Sequence, residues 1–287
     1  MPDERLVQRA PAKLNLFLRV LAREADGYHG IETLFCLTDL ADELTAERRD
    51  GGAATIEVRG AELGPPADNL AVRAANMVLQ ATGRRFGVHL TLEKRVPVEA
   101  GLGGGSSDAA AALTLTNQLA GNAVPRHELL QFAARLGSDV PFFLSGARLA
   151  LGWGHGDRML RLPPLPAAPA LLVVPGEGVS TRDAYAWVDE GAESRRRGGL
   201  ALDLEALRTW GDVARMSGND FESVVFARRP ALRASFEALA ATHPLLCRMT
   251  GSGSTLAAVY RTPAERSEAE LMLGRKHGRL IPIMVGG

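Results

Sequence analysis

The segment Lys94-Arg-Val-Pro-Val-Glu-Ala-Gly-Leu-Gly-Gly-Gly-Ser-Ser-Asp108 joins a run of β-type residues, 88–93, to a strong helix pattern that closes at Gly121. Glycine adopts backbone angles closed to other residues and lets another group approach the main chain closely. Serine and aspartate suit the N-cap and first turn, so we expect the helix to open at 106–108. Its free N–H groups and positive dipole end would face the loop. This order of elements favours a phosphate-binding loop.

The commoner glycine-loop patterns are absent from the sequence. G-x-x-x-x-G-K-[ST] occurs nowhere, and G-x-G-x-x-G fails because Ser106 stands in place of its third glycine. The H-R-D and D-F-G elements of protein kinases are absent too. The glycines alone leave two interpretations open, a phosphate loop of another design and a tight strand-to-helix turn without a ligand.

Composition narrows the class of protein. The chain has 287 residues, of which 46% are hydrophobic and 23% charged, as in a soluble globular protein. Lys+Arg and Asp+Glu both number 33, so no net field draws in nucleic acid or an anionic membrane. The mixed-charge start does not resemble a signal peptide, and no apolar run approaches the roughly 18 residues of a membrane helix. We therefore expect a cytoplasmic protein with neither nucleic acid nor membrane as partner.

Cysteine and histidine usage argues against a structural metal. Cys36 and Cys247 lie in apolar surroundings and are expected to be reduced core residues. Six histidines form no H-E-x-x-H pattern, and C-x-x-C is absent. We predict no protein-bound metal.

Lysine is rare in this chain. Only Lys13, Lys94 and Lys276 are lysines among 33 basic residues. A lysine retained where arginine is preferred suggests a need for a compact, strongly hydrated point charge on a flexible stem.

Lys13 opens an alternating segment, 13–20. Leu14, Leu16 and Leu18 fall on one strand face, and Lys13 and Asn15 on the other, roughly 6.6 Å apart. A solvated strand lysine is the alternative to a functional one.

Two further positions carry candidate chemistry. Asp26-Gly-Tyr-His29 is a turn that places an aromatic platform beside a hydrogen-bonding ring, although ordinary loop packing would explain it too. Asp139 precedes Pro141 and an apolar run, where a helix N-cap is the alternative.

The remaining pattern predicts two domains, residues 1–162 and 163–287, separated by the proline-rich segment 162–169. In the first we expect strands at 4–10, 13–20, 31–37, 43–47 and 54–59, a helix over 70–82 capped by Asp68 or Asn69, a helix over 127–136, and a hairpin or loop within 147–158. In the second we expect strands at 170–174, 246–249, 254–260 and 280–285, and helices near 181–189, 203–209, 219–227, 231–241 and 264–277. Without the extra helices this order is β-α-β-β-α-β, the ferredoxin-like arrangement. Arg195–Arg197 is expected to be a solvated loop.

Four separated elements together resemble the GHMP small-molecule kinases: Pro11–Asn15, Pro97–Ser107, Gly137–Pro141 and Thr250–Thr255. The resemblance covers nearly the whole chain. It implies an α+β fold with an N-terminal domain like ribosomal protein S5 domain 2 and a ferredoxin-like C-terminal domain. Together with the Asp-Gly-Tyr-His turn, it implies transfer of phosphate from ATP, as MgATP, to the 2-hydroxyl of a cytidine diphosphate-linked methylerythritol.

The resemblance also assigns residues. It implies that Asp139 accepts the hydroxyl proton or orients the nucleophile, while Lys13 keeps Asp139 ionised and stabilises the transferring phosphoryl group. The implied nucleotide-binding residues are Lys94, Asp68, Asn69, Pro97, Val98, Glu99, Ala100, Gly101, Leu102, Gly103, Gly104, Gly105, Ser106 and Ser107. The implied substrate-binding residues are Asn15, Tyr28, His29, Thr181 and Tyr185, with Tyr28 and Tyr185 sandwiching cytosine.

Other functions remain open at this stage. They are a homoserine- or mevalonate-type kinase of the same family, a catalytically inactive ligand-binding relative, and a dehydrogenase module disfavoured by the failed G-x-G-x-x-G. The partner expected is a small molecule, and the oligomeric state expected is a monomer or weak homodimer.

Overall fold

The computed structural model describes residues 5–24, 27–190 and 203–287, which form two compact units. Within these residues, the first unit comprises 5–12, 40–98 and 103–147, and the second comprises 13–39, 99–102 and 148–287. The predicted boundary at residue 162 is not among the points where the chain passes from one unit to the other. Asp26 and Arg195–Arg197 lie outside the described residues.

Two long strands, β1 (Arg5–Arg23) and β2 (His29–Arg49), contribute residues to both units and pair with each other. The sequence predicted each of them as two shorter strands. The central residues of both strands are buried on both faces. These strands therefore do not alternate cleanly between apolar and polar positions, which is the pattern used for the prediction.

The first unit places helices beside a small sheet. Strand β3 (Ala54–Arg59) is parallel to β4 (Gly87–Glu93), which is antiparallel to residues 43–49 of β2. Its helices are α1 (Leu70–Ala81), α2 (Gly104–Leu119), α3 (Arg126–Leu136) and α4 (Val140–Ser145). The predicted cap of α1 is confirmed, because the Asn69 side chain accepts a hydrogen bond from the backbone nitrogen of Ala71 at 2.9 Å.

Small side chains hold α2 against α1. Ala109–Ala112 on α2 are buried in the same core as Ala71, Ala74 and Ala75 on α1. Alanine lets two helix backbones approach closely, which fixes the position of the start of α2 relative to α1.

The second unit has the predicted ferredoxin-like order. Its remaining strands are β5 (Leu149–Gly154), β6 (Arg158–Leu162), β7 (Ala168–Val174), β8 (Leu246–Met249), β9 (Leu256–Val259) and β10 (Arg279–Val285). Strands β10, β7, β9 and β8 lie side by side in that order with antiparallel neighbours. Strands β5 and β6 form the predicted hairpin, and β5 pairs with β2.

The helices of the second unit are α5 (Thr181–Glu190), α6 (Trp210–Met216), α7 (Asp220–Arg228), α8 (Pro230–Ala240) and α9 (Pro263–Leu273). The predicted helix at 203–209 is wrong. Only Leu204–Ala206 forms a short 3-10 turn, and α6 begins after Thr209, whose hydroxyl caps the backbone nitrogen of Asp212. None of the helices in the described residues is both long and apolar enough to cross a lipid bilayer.

Candidate active site

Lys13 lies buried on β1 in the second unit. Its side-chain nitrogen donates to Oδ1 of Asn15 at 2.5 Å and to the carbonyl oxygen of Gly101 at 3.0 Å. Its backbone nitrogen donates to the carbonyl oxygen of Leu102, also at 3.0 Å. With 3% of the residue exposed, Lys13 is not the solvated strand lysine that the sequence left as an alternative.

Asn15 orients the Lys13 ammonium. Its Nδ2 donates to Oγ1 of Thr33 at 2.8 Å, and that hydroxyl donates to the carbonyl oxygen of Phe17 at 2.7 Å. The amide oxygen of Asn15 is therefore turned toward Lys13. The backbone nitrogen of Asn15 donates to Oγ1 of Thr250 at 3.1 Å. Asn15, a predicted substrate residue, thus also anchors a second loop of small residues, Thr250–Thr255.

The glycine loop touches that second loop, Thr250–Thr255, at Gly101. A Cβ on Gly101 would lie 2.6 Å from the carbonyl oxygen of Thr250 and 2.9 Å from that of Gly253, and its φ is +74°. Only glycine fits there. Glu99 holds φ at +54°, an uncommon conformation for a residue with a side chain.

A cavity of about 550 Å³ opens between these loops within the second unit. It is lined by Glu99, Gly101, Gly178, Val179, Ser180, Thr181 and Gly253. The hydroxyls of Thr181 and Ser252 lie 2.9 Å apart, which ties the start of α5 to the second loop. The cavity is wide enough for a small molecule and brings Thr181 beside the glycine loop.

One face of α5 carries three polar residues at helical spacing. Thr181, Tyr185 and Asp189 are four residues apart, while Ala184 and Val188 are buried in the core. The Tyr185 ring stacks on His29, with centroids 5.3 Å apart and planes 20° apart, and packs edge-on against Phe221. Oδ1 of Asp189 lies 2.7 Å from Nε2 of His29.

Tyr28 projects outward, with 67% of the residue exposed. Its ring lies 5.4 Å from that of His155, tilted by 32°. Tyr28 and Tyr185 thus each lie beside a histidine ring. The proposal that the two tyrosines bind the two faces of cytosine stays a prediction. Sequence reasoning missed His155 and Asp189; the four-residue spacing from Tyr185 on a predicted helix could have identified Asp189.

In the first unit, α2 starts earlier than predicted. Gly103 holds φ at +72° at the N-cap, and Gly104 is the first helical residue. The prediction that 106–108 open the helix is wrong, because the left-handed glycine turns the chain into the helix without a side-chain cap. Ser107 and Asp108 are instead buried in the second turn.

Lys94 forms a buried charge cluster with Asp42 and Asp108. Its side-chain nitrogen lies 2.5 Å from Oδ2 of Asp42 and 2.9 Å from Oδ2 of Asp108. Oδ1 of Asp42 accepts from the backbone nitrogens of Arg95 and Val96 at 2.6 and 2.8 Å. The cluster ties the entry of the glycine loop to the start of α2. Nucleotide contact by Lys94 stays a prediction.

Burial and charge act against each other in this cluster. Burial alone would lower the pKa of Lys94, but the carboxylates of Asp108 and Asp42 outweigh it and raise that pKa. Burial raises the pKa of Asp108 from 3.8 to about 7, even against the nearby Lys94 ammonium. Within the described chain, Oδ1 of Asp108 and Oγ of Ser107 are buried without a hydrogen-bond partner.

Asp139 occupies the N-cap position of α4 but makes no capping hydrogen bond with its side chain. The helix-cap alternative therefore does not account for its carboxylate. Asp68 lies in the short 3-10 turn Pro66–Asp68, before the cap of α1. Of the other predicted loop residues, Ala100 and Leu102 are buried, Val98 and Gly105 are exposed, and Pro97, Gly104 and Ser106 are half-buried.

Similarity to known proteins identifies the class of this site. A family model described as GHMP kinases N terminal domain matches residues 69–147, and one described as GHMP kinases C terminal matches residues 201–280. The chain belongs to the GHMP kinase family, and its α+β fold is the one that the sequence predicted.

Individual relatives narrow the comparison. Over 262 residues, the chain is 40% identical to 4-diphosphocytidyl-2-C-methyl-D-erythritol kinase of Solibacter usitatus, covering 88% of this chain and 80% of that protein. A crystal structure of 4-(cytidine 5'-diphospho)-2C-methyl-D-erythritol kinase is 36% identical, with a TM-score of 0.81 over 98% of this chain and 100% of the other. Homoserine kinase from Cytophaga hutchinsonii, 18% identical with a TM-score of 0.71 over 100% of this chain and 96% of the other, shares the fold.

Proposed function

We propose that this chain transfers the terminal phosphoryl group of ATP to the 2-hydroxyl of 4-diphosphocytidyl-2-C-methyl-D-erythritol. One observation carries the proposal: the buried Lys13 ammonium lies against the glycine loop, at the carbonyl of Gly101, in a chain 40% identical to a kinase of that name. A fixed positive charge beside a phosphate loop suits phosphoryl transfer, where positioning and electrostatics supply most of the rate.

Two residues receive catalytic roles in this proposal. Asp139 accepts the proton of the attacking hydroxyl or orients that hydroxyl, a role that a carboxylate can fill. Lys13 stabilises negative charge on the transferring group, and Asn15 holds the Lys13 ammonium in place.

The glycine loop and the start of α2 are proposed to hold the nucleotide phosphates. Backbone N–H groups at a helix start suit phosphate oxygens, and Asp68, Asn69 and Lys94 are proposed to lie near the nucleotide. Magnesium fits the first unit, because the unpartnered, buried hydroxyl of Ser107 is an oxygen donor of the type that Mg²⁺ accepts. Bound with ATP, Mg²⁺ would neutralise phosphate charge. Among the described residues, no cluster of three His, Cys, Asp or Glu side chains could hold a metal. We propose MgATP as the form in which the ion enters the site.

The substrate is proposed to lie along α5. Thr181 borders the cavity beside the glycine loop, and Tyr185 and Asp189 adjoin His29 farther along the same helix face. Eight residues of helix span about 12 Å, a length suited to a nucleoside diphosphate with its base at the His29 end. Tyr28 and Tyr185 are proposed to bind the cytosine faces, and His29 its edge.

The other functions are less well supported. A homoserine- or mevalonate-type kinase has no use for Tyr28 and His29 as a base-binding pair, and identity to the solved homoserine kinase is only 18%. An inactive relative would have no reason to bury Lys13 against the glycine loop.

The test is ADP release by the purified protein with ATP and Mg²⁺. We expect turnover with 4-diphosphocytidyl-2-C-methyl-D-erythritol and none with homoserine or mevalonate. Turnover with either of the latter would overturn the substrate assignment. ATP binding without turnover of any of the three would favour the inactive relative.

A further inference from the structure

Asn219, in the turn that leads into α7, is held against β1, the strand that carries the proposed catalytic lysine. The carbonyl oxygen of Gly218 accepts from the backbone nitrogen of Leu18 at 2.8 Å. On the other side of Asn219, Oδ2 of Asp220 accepts from the backbone nitrogen of Val20 at 2.9 Å. Asn219 is 7% exposed, so its side chain is confined to the protein interior.

The side-chain amide of Asn219 bonds three backbone groups. Its Nδ2 donates to the carbonyl oxygens of Met249 at 2.7 Å and Gly251 at 2.8 Å. Its Oδ1 accepts from the backbone nitrogen of Phe221 at 3.0 Å and so caps α7. Because a backbone N–H only donates and a carbonyl only accepts, these three partners require one acceptor and two donors. An amide meets that requirement, and a carboxylate does not.

The two carbonyls that Asn219 holds flank Thr250, the first residue of the loop Thr250–Thr255. Oγ1 of Thr250 accepts from the backbone nitrogen of Asn15 at 3.1 Å. The side chain of Asn15 in turn accepts from the Lys13 ammonium at 2.5 Å. A shift of the loop at Thr250 is therefore transmitted to the ammonium through a single residue.

The middle of the same loop forms part of the cavity wall. Gly253 lines the cavity, and the hydroxyl of Ser252 lies 2.9 Å from that of Thr181. The conformation of this one loop thus affects both the lysine and the cavity beside it.

We propose that Asn219 is a positioning residue for phosphoryl transfer, which holds the loop Thr250–Thr255 in the conformation that aligns Lys13 with the cavity. The inference rests on the proposed function, which gives Lys13 its role at the transferring phosphoryl group. Asn219 acts through the loop, as a buried amide that supports the residues around the reacting atoms.

The size of the effect follows from the sensitivity of catalysis to geometry. A displacement of about 1 Å in a reacting group can lower the rate roughly 10²-fold, even when the mutation lies away from the chemistry. Loss of the two donated hydrogen bonds should therefore lower kcat by roughly 10- to 100-fold.

Two variants separate support of the loop from capping of the helix. Asn219→Asp keeps an oxygen that can accept from the nitrogen of Phe221, but it offers at most one hydrogen to two carbonyl oxygens. Asn219→Ser also keeps a cap, and its single O–H likewise cannot serve both carbonyls. Serine adds no buried charge, so this variant is expected to fold even where Asn219→Asp does not.

The matched control is the buried Asn117 of the first unit. Its Nδ2 donates to the carbonyl oxygen of Val124 at 3.0 Å, and its Oδ1 accepts from the nitrogen of the same residue at 2.9 Å. Asn117→Asp and Asn117→Ser also remove a buried amide donor, but the carbonyl that loses its donor is not part of the loop Thr250–Thr255. Urea unfolding of all four variants allows activity to be compared at similar losses of stability.

The first measurement is amide hydrogen exchange followed by NMR, which does not depend on activity. The backbone amide of Asn15 donates to Thr250 and reports on the loop. It should exchange faster in the folded Asn219 variants than in the wild type, while the amide of Phe221 stays protected. In the Asn117 variants both amides should exchange as in the wild type. Unchanged exchange at Asn15 in the Asn219 variants would overturn the inference.

The second measurement is turnover of 4-diphosphocytidyl-2-C-methyl-D-erythritol with ATP and Mg²⁺. We expect kcat to fall by roughly 10- to 100-fold in the Asn219 variants and to change little in the Asn117 variants. Equal losses of kcat in the two pairs would mean that Asn219 acts only through stability, and would overturn the inference. No turnover by the wild type would overturn the proposed function and the catalytic part of this inference, whereas hydrogen exchange tests support of the loop independently.

Discussion

Oδ2 of Asp42 lies 2.5 Å from the side-chain nitrogen of Lys94, although 52 residues separate the two in the chain. Asp42 also accepts hydrogen bonds from the two backbone nitrogens that follow Lys94, those of Arg95 and Val96. This arrangement makes Lys94 part of the support of the glycine loop.

Lys94→Met is therefore expected to destabilise the fold. Removing one partner of a buried charge cluster typically costs about 3–5 kcal/mol, because the remaining charges stay buried without compensation. Urea unfolding would measure the loss. Lys276→Met, at an exposed lysine, is the control and should change little. An unchanged unfolding free energy with a raised KM for ATP would favour direct nucleotide contact by Lys94.

Asp108→Asn should change how stability depends on pH. Burial raises the folded-state pKa of Asp108 from 3.8 to about 7. As pH rises from about 4 to 7, the unfolded chain loses this proton while the folded chain keeps it, so the free energy of unfolding falls. The variant lacks this contribution and should lose less stability over the interval.

The measurement for Asp108 is a series of urea titrations between pH 4.5 and 7.5. Asp50→Asn, at an exposed carboxylate of the same unit, is the matched control. Parallel curves for the wild type and Asp108→Asn would contradict the assignment.

Gly101→Ala should lose both stability and turnover. Its Cβ would enter the space of two carbonyl oxygens, at 2.6 and 2.9 Å, and its φ is +74°. Gly83→Ala shares the backbone cost at φ +77° but meets nothing within 4 Å. The left-handed conformation costs a residue with a Cβ about 1–2 kcal/mol. In thermal unfolding, Gly101→Ala should lose more stability than Gly83→Ala. Equal losses would mean that the glycine loop and the loop Thr250–Thr255 shift freely to make room for the added methyl group.

Asp139→Asn is expected to lower kcat by about 10²- to 10⁴-fold, the usual contribution of a general base. ATP should still bind, which a fluorescent ATP analogue would report. Asp183→Asn, at an exposed carboxylate on α5, provides the charge-matched control. Near-normal turnover in Asp139→Asn would remove it from the catalytic pair.

Tyr28→Ala should raise the KM for the cytidine substrate while leaving that for ATP nearly unchanged. Stacking of a base on an aromatic ring contributes about 1–3 kcal/mol, or roughly 5- to 150-fold in binding. Because Tyr28 is 67% exposed, stability should change little. Trp153→Ala removes another partly exposed aromatic ring of the second unit as a comparison. Equal effects of Tyr28→Ala on both KM values would refute the base-binding role.

Local signals predicted most of the fold. Asn69 before an amphipathic run is a helix start that needs no tertiary information, and the structure confirms it. Beyond residue 168, the order of the predicted strands and helices was enough to predict the ferredoxin-like arrangement. Each of these strands and helices has a periodic pattern of apolar residues that can be recognised locally. Helix α6 was missed because it has only seven residues, too few to establish a period.

Long-range contacts account for what the sequence did not reveal about the site. Nothing local marks Asp42 as the partner of Lys94, and Asp108 was expected in the first helical turn because its neighbours are serines. The pairing of Asp189 with His29 joins residues 160 positions apart. Such pairings depend on how strands and helices pack against each other. Local sequence patterns do not determine that packing.

Thr181, Tyr185 and Asp189 are evenly spaced along α5, so the helix face that carries them has a fixed length. In the proposed binding mode, a smaller alcohol without the nucleotide would contact only one end of this helix face. On this proposal, one weakly binding fragment would occupy the Thr181 cavity and another would lie beside His29. The length of a spacer that joins the two fragments can be calculated from the helix rise, about 1.5 Å per residue.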